Sequence, residues 1–206
     1  MFKPVPGAGP TANQGGIATR NGAHKGLHIV GNHFEGIVGM PSIKLRNGIG
    51  WDDVLVANNR FAVRANQSAL EFYGSNTLVG DAAFVFNSVL LLGAGQAVKG
   101  SLAGGTLSLR NNAVRSLGKG ALVSGTPLGP LGPNCLEAVS PPSSPAANPA
   151  DVVGKIDFVS TTAPFDLHLQ PGSVCLDRGL PIAGVSDDMD GEVRANPPDI
   201  GADEKP

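Results

Sequence analysis

The chain has 206 residues, of which 41% are hydrophobic and 16% are charged, and its formal net charge is −2. A disordered chain shows the reverse balance, and a protein that binds nucleic acid or anionic membranes non-specifically carries an excess of positive charge. No stretch approaches the roughly 18 consecutive apolar residues of a membrane-spanning helix. We therefore expect a folded protein with no nucleic-acid partner and no membrane insertion.

The N-terminal segment, residues 1–16, is predicted to be a linker. Its sequence, MFKPVPGAGPTANQGG, is rich in proline and glycine, and it lacks the apolar stretch of a signal peptide. The whole chain contains 29 glycines and 17 prolines, which indicates frequent turns in the folded part as well. We expect the folded part to begin at about residue 17.

Residues 17–125 contain four copies of one short pattern, apolar-x-apolar-x-x-Asn-x-apolar. The copies recur every 25 to 28 residues as LHIVGNHF (27–34), VLVANNRF (54–61), AAFVFNSV (82–89) and LSLRNNAV (107–114). A second apolar column recurs at the same steps, at Ile43, Leu70, Val98 and Val123. Apolar residues that alternate with other residues are typical of strands. Since stacked coils bury an apolar face that one coil cannot bury alone, the repeat predicts an all-β fold, a parallel β-helix solenoid of about four coils.

The repeated asparagines are predicted to form a ladder at one corner of the coils. They are Asn32, Asn59, Asn87 and Asn112. Asparagine tolerates the left-handed backbone of a tight bend better than other non-glycine residues, and stacked Asn amides can hydrogen-bond to one another. The same register places the side chains of Phe61, Phe72 and Phe84 in the interior.

The N-terminal end of the stack has no evident cap. Four coils spaced about 4.8 Å apart make a stack only about 19 Å long, and the ends of a solenoid need caps. Two interpretations stay open for this end. Either it associates with a second copy or another partner, or coils of a longer parent protein precede it.

Residues 126–150 are rich in Pro, Gly, Ser and Ala, a composition that strands tolerate badly. We predict an extended connection along the coils there, followed by a tail over residues 151–206. The connection and the tail contain one cysteine each, Cys135 and Cys175. Two interpretations stay open for this pair: two unrelated buried thiols, or one disulfide, which would fit an exported protein.

Two linked motifs in the tail carry a family resemblance. They read DLHLQPGSVCLDRG (166–179) and DMDGEVRANPPDIGADE (188–204). Together they resemble the C-terminal signature of choice-of-anchor Q proteins, which are right-handed parallel β-helix proteins of the pectate-lyase-like superfamily. The matching residues are Leu169, Pro171, Gly172, Ser173, Asp177, Gly179, Asp188, Asp190, Gly191, Arg194, Asp199, Ile200, Gly201, Ala202 and Glu204. Cys175 departs from the signature, which usually has Ala there.

The resemblance implies an extracellular or cell-surface bacterial protein, with a right-handed β-helix and an irregular C-terminal tail packed on it. The family is defined by its fold and its tail and does not share one activity. No catalytic residue and no cofactor is therefore carried over from it to this chain.

Asp188 and Asp190 precede Gly191 as the first carboxylates of a calcium loop do, but the remaining ligands of an EF-hand loop are absent. We interpret Asp187, Asp188 and Asp190 as carboxylates that cap turns. Asp188 and Asp190 stay the only candidates for a metal, which would be Ca²⁺. Arg194 is expected to pair with one of these carboxylates in a bidentate contact.

The repeat also collects charged residues that are far apart in sequence. The outward column of the second strand contains Lys44, Glu71 and Lys99, and Arg46 and Tyr73 lie beside it. One interpretation is a substrate-binding face, on which the cations attract uronate carboxylates and the tyrosine ring stacks on a sugar. The other is a surface ladder of cross-strand ion pairs without further function.

Three hypotheses about function follow from these residues. The first is a non-catalytic extracellular module associated with carbohydrate, because parallel rungs can match the repeating units of a linear polysaccharide. The second is a polysaccharide lyase or glycoside hydrolase, and a lyase would act on a uronate-containing glycan. The third is a fragment of a larger adhesin. We favour the first, since four coils leave little wall for a substrate cleft.

Overall fold

The computed structural model of the protein describes residues 16–19, 21–37, 39–125, 129, 131–139 and 148–205. The predicted linker, apart from Gly16, lies outside this part. No helix in the described ranges is long and apolar enough to cross a membrane. The strands are β1 Ile17–Ala18, β2 Gly22–Val30, β3 His33–Phe34, β4 Ile43–Arg46, β5 Gly48–Ala57, β6 Arg60–Val63, β7 Ser68–Leu78, β8 Asp81–Val85, β9 Ser88–Leu91, β10 Gln96–Ala103, β11 Thr106–Arg110, β12 Ala113–Ser116, β13 Ala121–Gly125, β14 Cys135–Glu137, β15 Val152–Val153, β16 Phe158–Ser160 and β17 Asp166–Leu169.

Strands of successive coils pair in parallel and form three stacks. The first stack contains β1, β4, β7, β10 and β13, and the second contains β2, β5, β8 and β11. The third contains β3, β6, β9, β12, β14 and β15. Each of the four coils contributes one strand to each stack. The predicted all-β solenoid of about four coils is therefore confirmed.

The register of the stacks is the one that the repeat predicts. In the first stack Leu70 pairs with Ile43 on one side and with Val98 on the other. In the second stack Val56 pairs with Phe84. Because side chains alternate between the two faces of a strand, a shift of one residue would have turned these apolar columns outward.

Aromatic rings fill the interior between the stacks. The ring of Phe61 lies against those of Phe34 and Phe84, with centroid distances of 4.9 and 5.9 Å. Phe61, Phe72 and Phe84 are buried, as the register predicts. Gly100 follows Phe72 in the same inward column, and a Cβ on Gly100 would lie 2.3 Å from the carbonyl oxygen of Phe72. The backbone approaches so closely here that only glycine fits.

An asparagine ladder runs along the corner between the second and third stacks. The side-chain oxygen of Asn59 accepts hydrogen bonds from the backbone and side-chain nitrogens of Asn32, at 2.9 and 3.2 Å. The same pair of bonds recurs at each further rung, and the ladder runs through Asn32, Asn59, Asn87, Asn112, Asn134 and finally Asp151. It thus satisfies buried backbone donors that no strand pairs at the corner.

The left-handed residue of each bend is not the ladder asparagine, as we expected, but the residue before it. Gly31, Asn58, Phe86 and Asn111 have φ values of 68°, 55°, 51° and 56°. This conformation turns their side chains away from the ladder, and three of them contact the tail. Asn58 and Phe86 contact Arg194, and Asn111 binds Leu180. Asn111 exchanges two hydrogen bonds with the backbone of Leu180, at 2.7 and 3.1 Å. The Asn-Asn pairs of the sequence therefore combine a ladder position with a tail contact.

The prediction of an extended connection over 126–150 is wrong for the described part of that segment. Strand β14 pairs with β12, and β15 pairs with β14, so the third stack extends beyond residue 125. Leu131 also bridges to Leu109 of β11. Composition misled the prediction, because short strands of two or three residues need few β-formers when Asn134 continues the ladder.

The tail packs on the outer surface of the second and third stacks. Leu90 and Ala113 of the third stack join Ile156, Leu167 and Ile200 in one apolar cluster. A second cluster joins outward residues of the second stack and its corner to the tail, namely Ala57, Val85, Phe86, Val185, Leu55, Ala83 and Ile182. The structure contains the disulfide between Cys135 of β14 and Cys175 of the tail.

Arg194 is the centre of the contact between the tail and the coils, and the prediction that it pairs with a carboxylate of 187–190 is wrong. Its guanidinium lies 3.9 Å from the ring centroid of Phe86. It donates to Asn58 at 2.9 Å and lies 3.4 Å from a carboxylate oxygen of Glu204. The turn of residues 187–190 uses its own carboxylate for backbone donors, so Glu204 is the acid left for the arginine.

Candidate functional site

The outward face of the first stack brings all five predicted site residues together. Lys44, Glu71 and Lys99 occupy one register column of β4, β7 and β10. A carboxylate oxygen of Glu71 lies 3.7 Å from the Lys44 ammonium, and the other lies 3.2 Å from the Lys99 ammonium. The predicted ladder of ion pairs is therefore present on this face.

Arg46 and Tyr73 form the neighbouring column of the same face. The Lys44 ammonium lies 3.8 Å from the centroid of the Tyr73 ring, and the Arg46 guanidinium carbon lies 5.9 Å from it. Both distances allow a cation–π attraction. The tyrosine is still 50% exposed, so its ring remains available to a ligand.

Arg46 differs from the two lysines in its partners. Among the described residues no carboxylate lies within ion-pair distance of its guanidinium, and its buried Nε makes no hydrogen bond. A buried guanidinium N–H without an acceptor carries a free-energy cost of about 1–3 kcal/mol.

A shallow groove of about 500 Å³ runs beside this face. Its walls come from the charged column and from small residues of the next coils, namely Glu71, Phe72, Tyr73, Gly74, Lys99, Gly100, Ser101 and Ser124. The groove exists because Gly100 and the two serines present little side-chain volume opposite Tyr73. It is wide open to solvent, which suits a chain that lies along the surface.

The chemistry available on this face is attraction of anions and stacking of sugar rings. The face carries three cations, Lys44, Arg46 and Lys99, of which Lys44 and Lys99 contact the carboxylate of Glu71. Within the described part of the chain, Glu71 is the only acid of the column, and it is already shared between two ammonium groups. The face therefore lacks the set of acids that would hold Ca²⁺ for a cation-assisted lyase.

A second polar cluster lies in the tail, and sequence reasoning missed it. One ligand atom each from His168, Asp190 and Asp203 lies within 4.8 Å of the others. His168 is on β17, the aspartates come from the 188–204 motif, and a pocket of about 330 Å³ opens beside them. The repeat gives no register for the tail, so nothing in the sequence pattern joins His168 to Asp203.

Burial and hydrogen bonding act in opposite directions on the pKa of His168 in this cluster. Burial by itself lowers the pKa of His168, but hydrogen bonds to Asp166 and Asp190 outweigh burial, and the pKa of His168 is raised above its usual value. Burial also raises the pKa of the Asp203 carboxyl, and the negative charges of Asp188 and Asp190 act in the same direction. The site therefore concentrates negative charge around one imidazole.

The two predicted calcium candidates have separate roles. Asp188 accepts hydrogen bonds from the backbone N–H groups of Asp190 and Glu192 with one oxygen and of Glu204 with the other, at 2.8, 2.9 and 3.0 Å. It caps its turn, and both of its oxygens accept backbone hydrogen bonds. Asp190 instead contacts His168, with 2.8 Å between the carboxylate oxygen and Nε2.

Comparison of the chain with protein-family models, with curated proteins and with solved structures finds no match. The likeness to choice-of-anchor Q proteins therefore rests on the tail residues quoted above. The structure adds a physical role for several of them: Asp188 caps a turn, Asp199 accepts the backbone N–H of Asp177 at 2.6 Å, and Arg194 binds the coils. These residues fold the tail and pack it against the outer surface of the coils.

Proposed function

We propose that this protein is an extracellular or cell-surface β-helix module of the choice-of-anchor Q type, which binds acidic polysaccharide without cleaving it. The observation that carries the proposal is the pairing of Arg46 with Tyr73. An arginine without an acidic partner in the described structure lies beside a half-exposed aromatic ring, and that ring lines an open groove. Guanidinium groups bind carboxylates through two parallel hydrogen bonds, and aromatic rings stack on sugars.

The shape of the face supports a linear ligand. The side chains that attract anions come from three successive rungs, β4, β7 and β10, which are spaced about 4.8 Å apart. A polymer with a carboxylate on each sugar can therefore meet several cations in sequence. Simultaneous contacts raise the overall affinity well above that of one sugar.

A binding role accounts for the face better than catalysis does. A lyase has to remove a proton beside the uronate carboxylate and return one to the leaving oxygen. Here Lys44 and Lys99 both contact Glu71, and the groove is shallow and open to water. Nothing in this arrangement holds a substrate against a free base.

The disulfide supports an extracellular location. Disulfides such as Cys135–Cys175 form and persist outside the reducing cytosol. The cysteines join β14 to the tail that carries the family resemblance. The location and the family assignment are thus proposed from the same region of the molecule.

The test is binding of polygalacturonate, with uncharged dextran as the reference glycan, followed by calorimetry at low and high salt. We expect binding of the acidic polymer alone, weakened by salt because exposed charges are screened. Arg46→Gln should reduce the affinity roughly tenfold or more. Lys25→Gln is the matched control, since Lys25 is an exposed cation on the second stack that pairs with Asp52 at 2.9 Å.

Two results would contradict the proposal. One is equal binding of polygalacturonate by the parent and by Arg46→Gln. The other is an ultraviolet-absorbing unsaturated product on prolonged incubation, which would identify a lyase. Loss of that product in Tyr73→Phe would then assign the phenol hydroxyl to catalysis.

A further inference from the structure

We propose that His168, Asp190 and Asp203 bind a divalent first-row transition cation, with Zn²⁺ as the best fit. The three residues offer one imidazole nitrogen and two carboxylate oxygens within 4.8 Å of one another. Zinc binds both imidazole nitrogen and carboxylate oxygen, and three protein ligands leave a fourth position for water. The site lies in the tail and is separate from the charged face of the first stack.

The imidazole is held in the orientation that a metal ligand needs. Nδ1 of His168 hydrogen-bonds to the carboxylate of Asp166, two residues earlier on β17. The Arg60 guanidinium of the third stack lies 3.9 Å from that carboxylate and holds it in place. A carboxylate on one ring nitrogen fixes the tautomer and directs the other nitrogen, Nε2, towards the metal.

The two aspartates have different mobility. Asp203 is 7% exposed, and its Oδ2 accepts the backbone N–H of Leu169 at 2.8 Å. That bond leaves Oδ1 without a hydrogen-bond partner among the described residues and fixes its position. The Asp190 side chain is 46% exposed and lies on a turn, so it can adjust to an ion.

The adjustment that an ion requires between His168 and Asp190 is small. Ligand atoms about 2.0–2.1 Å from a tetrahedral zinc lie roughly 3.3 Å apart. Nε2 of His168 and the nearest oxygen of Asp190 are 2.8 Å apart. The exposed aspartate therefore has to withdraw by about half an ångström, which a side-chain rotation provides. The ion then takes the place between Nε2 and the carboxylate that a proton occupies without it.

The ligand chemistry selects against calcium. Ca²⁺ takes six to eight oxygen ligands, whereas imidazole favours zinc, copper, iron and nickel. Asp188, a further acid of the motif, accepts backbone N–H groups with both of its oxygens. The fourth coordination position faces the pocket of about 330 Å³, which Val159, Glu192 and Lys205 help to line.

A metal here would join two separate parts of the tail. His168 lies on the β16–β17 hairpin, and Asp190 and Asp203 lie at the two ends of the motif that covers the coils. An ion that binds only the folded protein stabilises it in proportion to the logarithm of its concentration over Kd. The site would thus be a second cross-link of the tail, in addition to the disulfide.

The experiment is a titration of the chelator-treated full chain with ZnCl₂ and, separately, with CaCl₂, followed by calorimetry and by thermal unfolding. We expect one Zn²⁺ per chain, a higher Tm with Zn²⁺, and no comparable effect of Ca²⁺. Asp190→Asn should weaken Zn²⁺ binding at least about tenfold, and Asp166→Asn, which alters only the orienting carboxylate, by about 10–100-fold. Asp190 is exposed, so its variant retains the fold.

His28→Gln is the matched control, because His28 also contacts an aspartate, Asp53, at 3.0 Å but has no third ligand nearby in the described structure. Its Zn²⁺ affinity should equal that of the parent. The proposal is overturned by a parent that binds no stoichiometric Zn²⁺, by an Asp190→Asn variant that binds it as well as the parent, or by a loss of binding in His28→Gln. A preference for Ca²⁺ would also overturn the assignment of the ion.

Discussion

The outer faces of the third and first stacks are both built from parallel strands, but they differ in chemistry. One is apolar and the other is charged. On the third stack the outward residues include Leu90, Ala113 and Cys135, which are buried under the tail. On the first stack the corresponding positions are Lys44, Glu71 and Lys99. Since side chains alternate along every strand, the outward residues alone decide which face receives the tail.

The comparison shows which of the two faces is open to solvent. The apolar residues of the covered face are buried by the tail, and a disulfide links the tail to the coils. The charged face keeps Tyr73 half exposed and Arg46 without an acidic partner in the described structure. The first-stack face is therefore open, and the covered face contributes stability.

Reduction of the Cys135–Cys175 disulfide should have the largest effect, because it fastens the covered face. The bridge spans a sequence separation of 40 residues. In the loop-entropy model its loss lowers the free energy of unfolding by about 4 kcal/mol. Urea unfolding with and without a reducing agent measures the change. Equal midpoints under the two conditions would show that packing alone holds the tail.

Two arginines provide the next comparison. Arg194→Met should lower the free energy of unfolding by about 3 kcal/mol, because it leaves the buried Glu204 without its cation and Asn58 without a donor. Arg46→Met on the open face should leave it unchanged or raise it, by at most about 1–3 kcal/mol, because the variant removes a buried guanidinium N–H that has no acceptor. Both values come from urea unfolding. Similar losses for the two variants would mean that the open face is also part of the structural core.

The buried asparagine ladder should contribute more to stability than the surface ladder of ion pairs. Asn87→Ala removes the acceptor of the buried Asn59 backbone N–H and is expected to cost about 1–3 kcal/mol. Lys99→Gln breaks an ion pair whose lysine is half exposed, and such pairs contribute about 0–1 kcal/mol. Thermal unfolding of both variants gives the comparison. A larger loss in Lys99→Gln than in Asn87→Ala would reverse the assigned roles.

His33 should give the smallest effect, and it concerns the covered region. Burial, followed by the positive charge of Arg60, lowers the pKa of His33. The unfolded chain binds this proton near its usual pKa of about 6.5. The neutral, partly buried His33 is therefore tolerated fully above about pH 6.5. Stability is lost as the pH falls from there towards the lower pKa of His33 in the folded protein.

The measurement is the difference in unfolding free energy between the parent and His33→Gln at pH 7.5 and at pH 5. Relative to the parent, the variant should gain stability as the pH falls. Taking the difference removes the contributions of the other histidines, which both proteins share. A difference that is independent of pH would show that His33 keeps its ordinary pKa in the fold.

The repeat made most of the solenoid predictable. Four copies of one pattern gave the register, the interior phenylalanines and the ladder from Asn32 to Asn112, because each copy repeats the same physical requirement. Asn134 was missed, since a proline- and glycine-rich segment concealed a coil whose strand is only three residues long. Ladder geometry tolerates that composition, and an asparagine 22 residues after Asn112 was the available signal.

The tail was less predictable for a physical reason. Its contacts join residues that no period relates, such as Arg194 with Asn58 and His168 with Asp203. The charged face was less predictable than the solenoid and more predictable than the tail. The register placed Lys44, Glu71 and Tyr73 on one surface, but only the structure shows that Glu71 contacts both lysines.

The most direct test of the proposed binding face uses Tyr73, the single tyrosine of the chain. Nitration of the native protein, followed by mass spectrometry, reports the accessibility of that one ring. We predict that polygalacturonate slows nitration of Tyr73 in step with saturation of binding, that dextran does not, and that high salt abolishes the protection. Saturating polygalacturonate that leaves the nitration rate of Tyr73 unchanged would contradict the account, because the polymer would then bind elsewhere on the molecule.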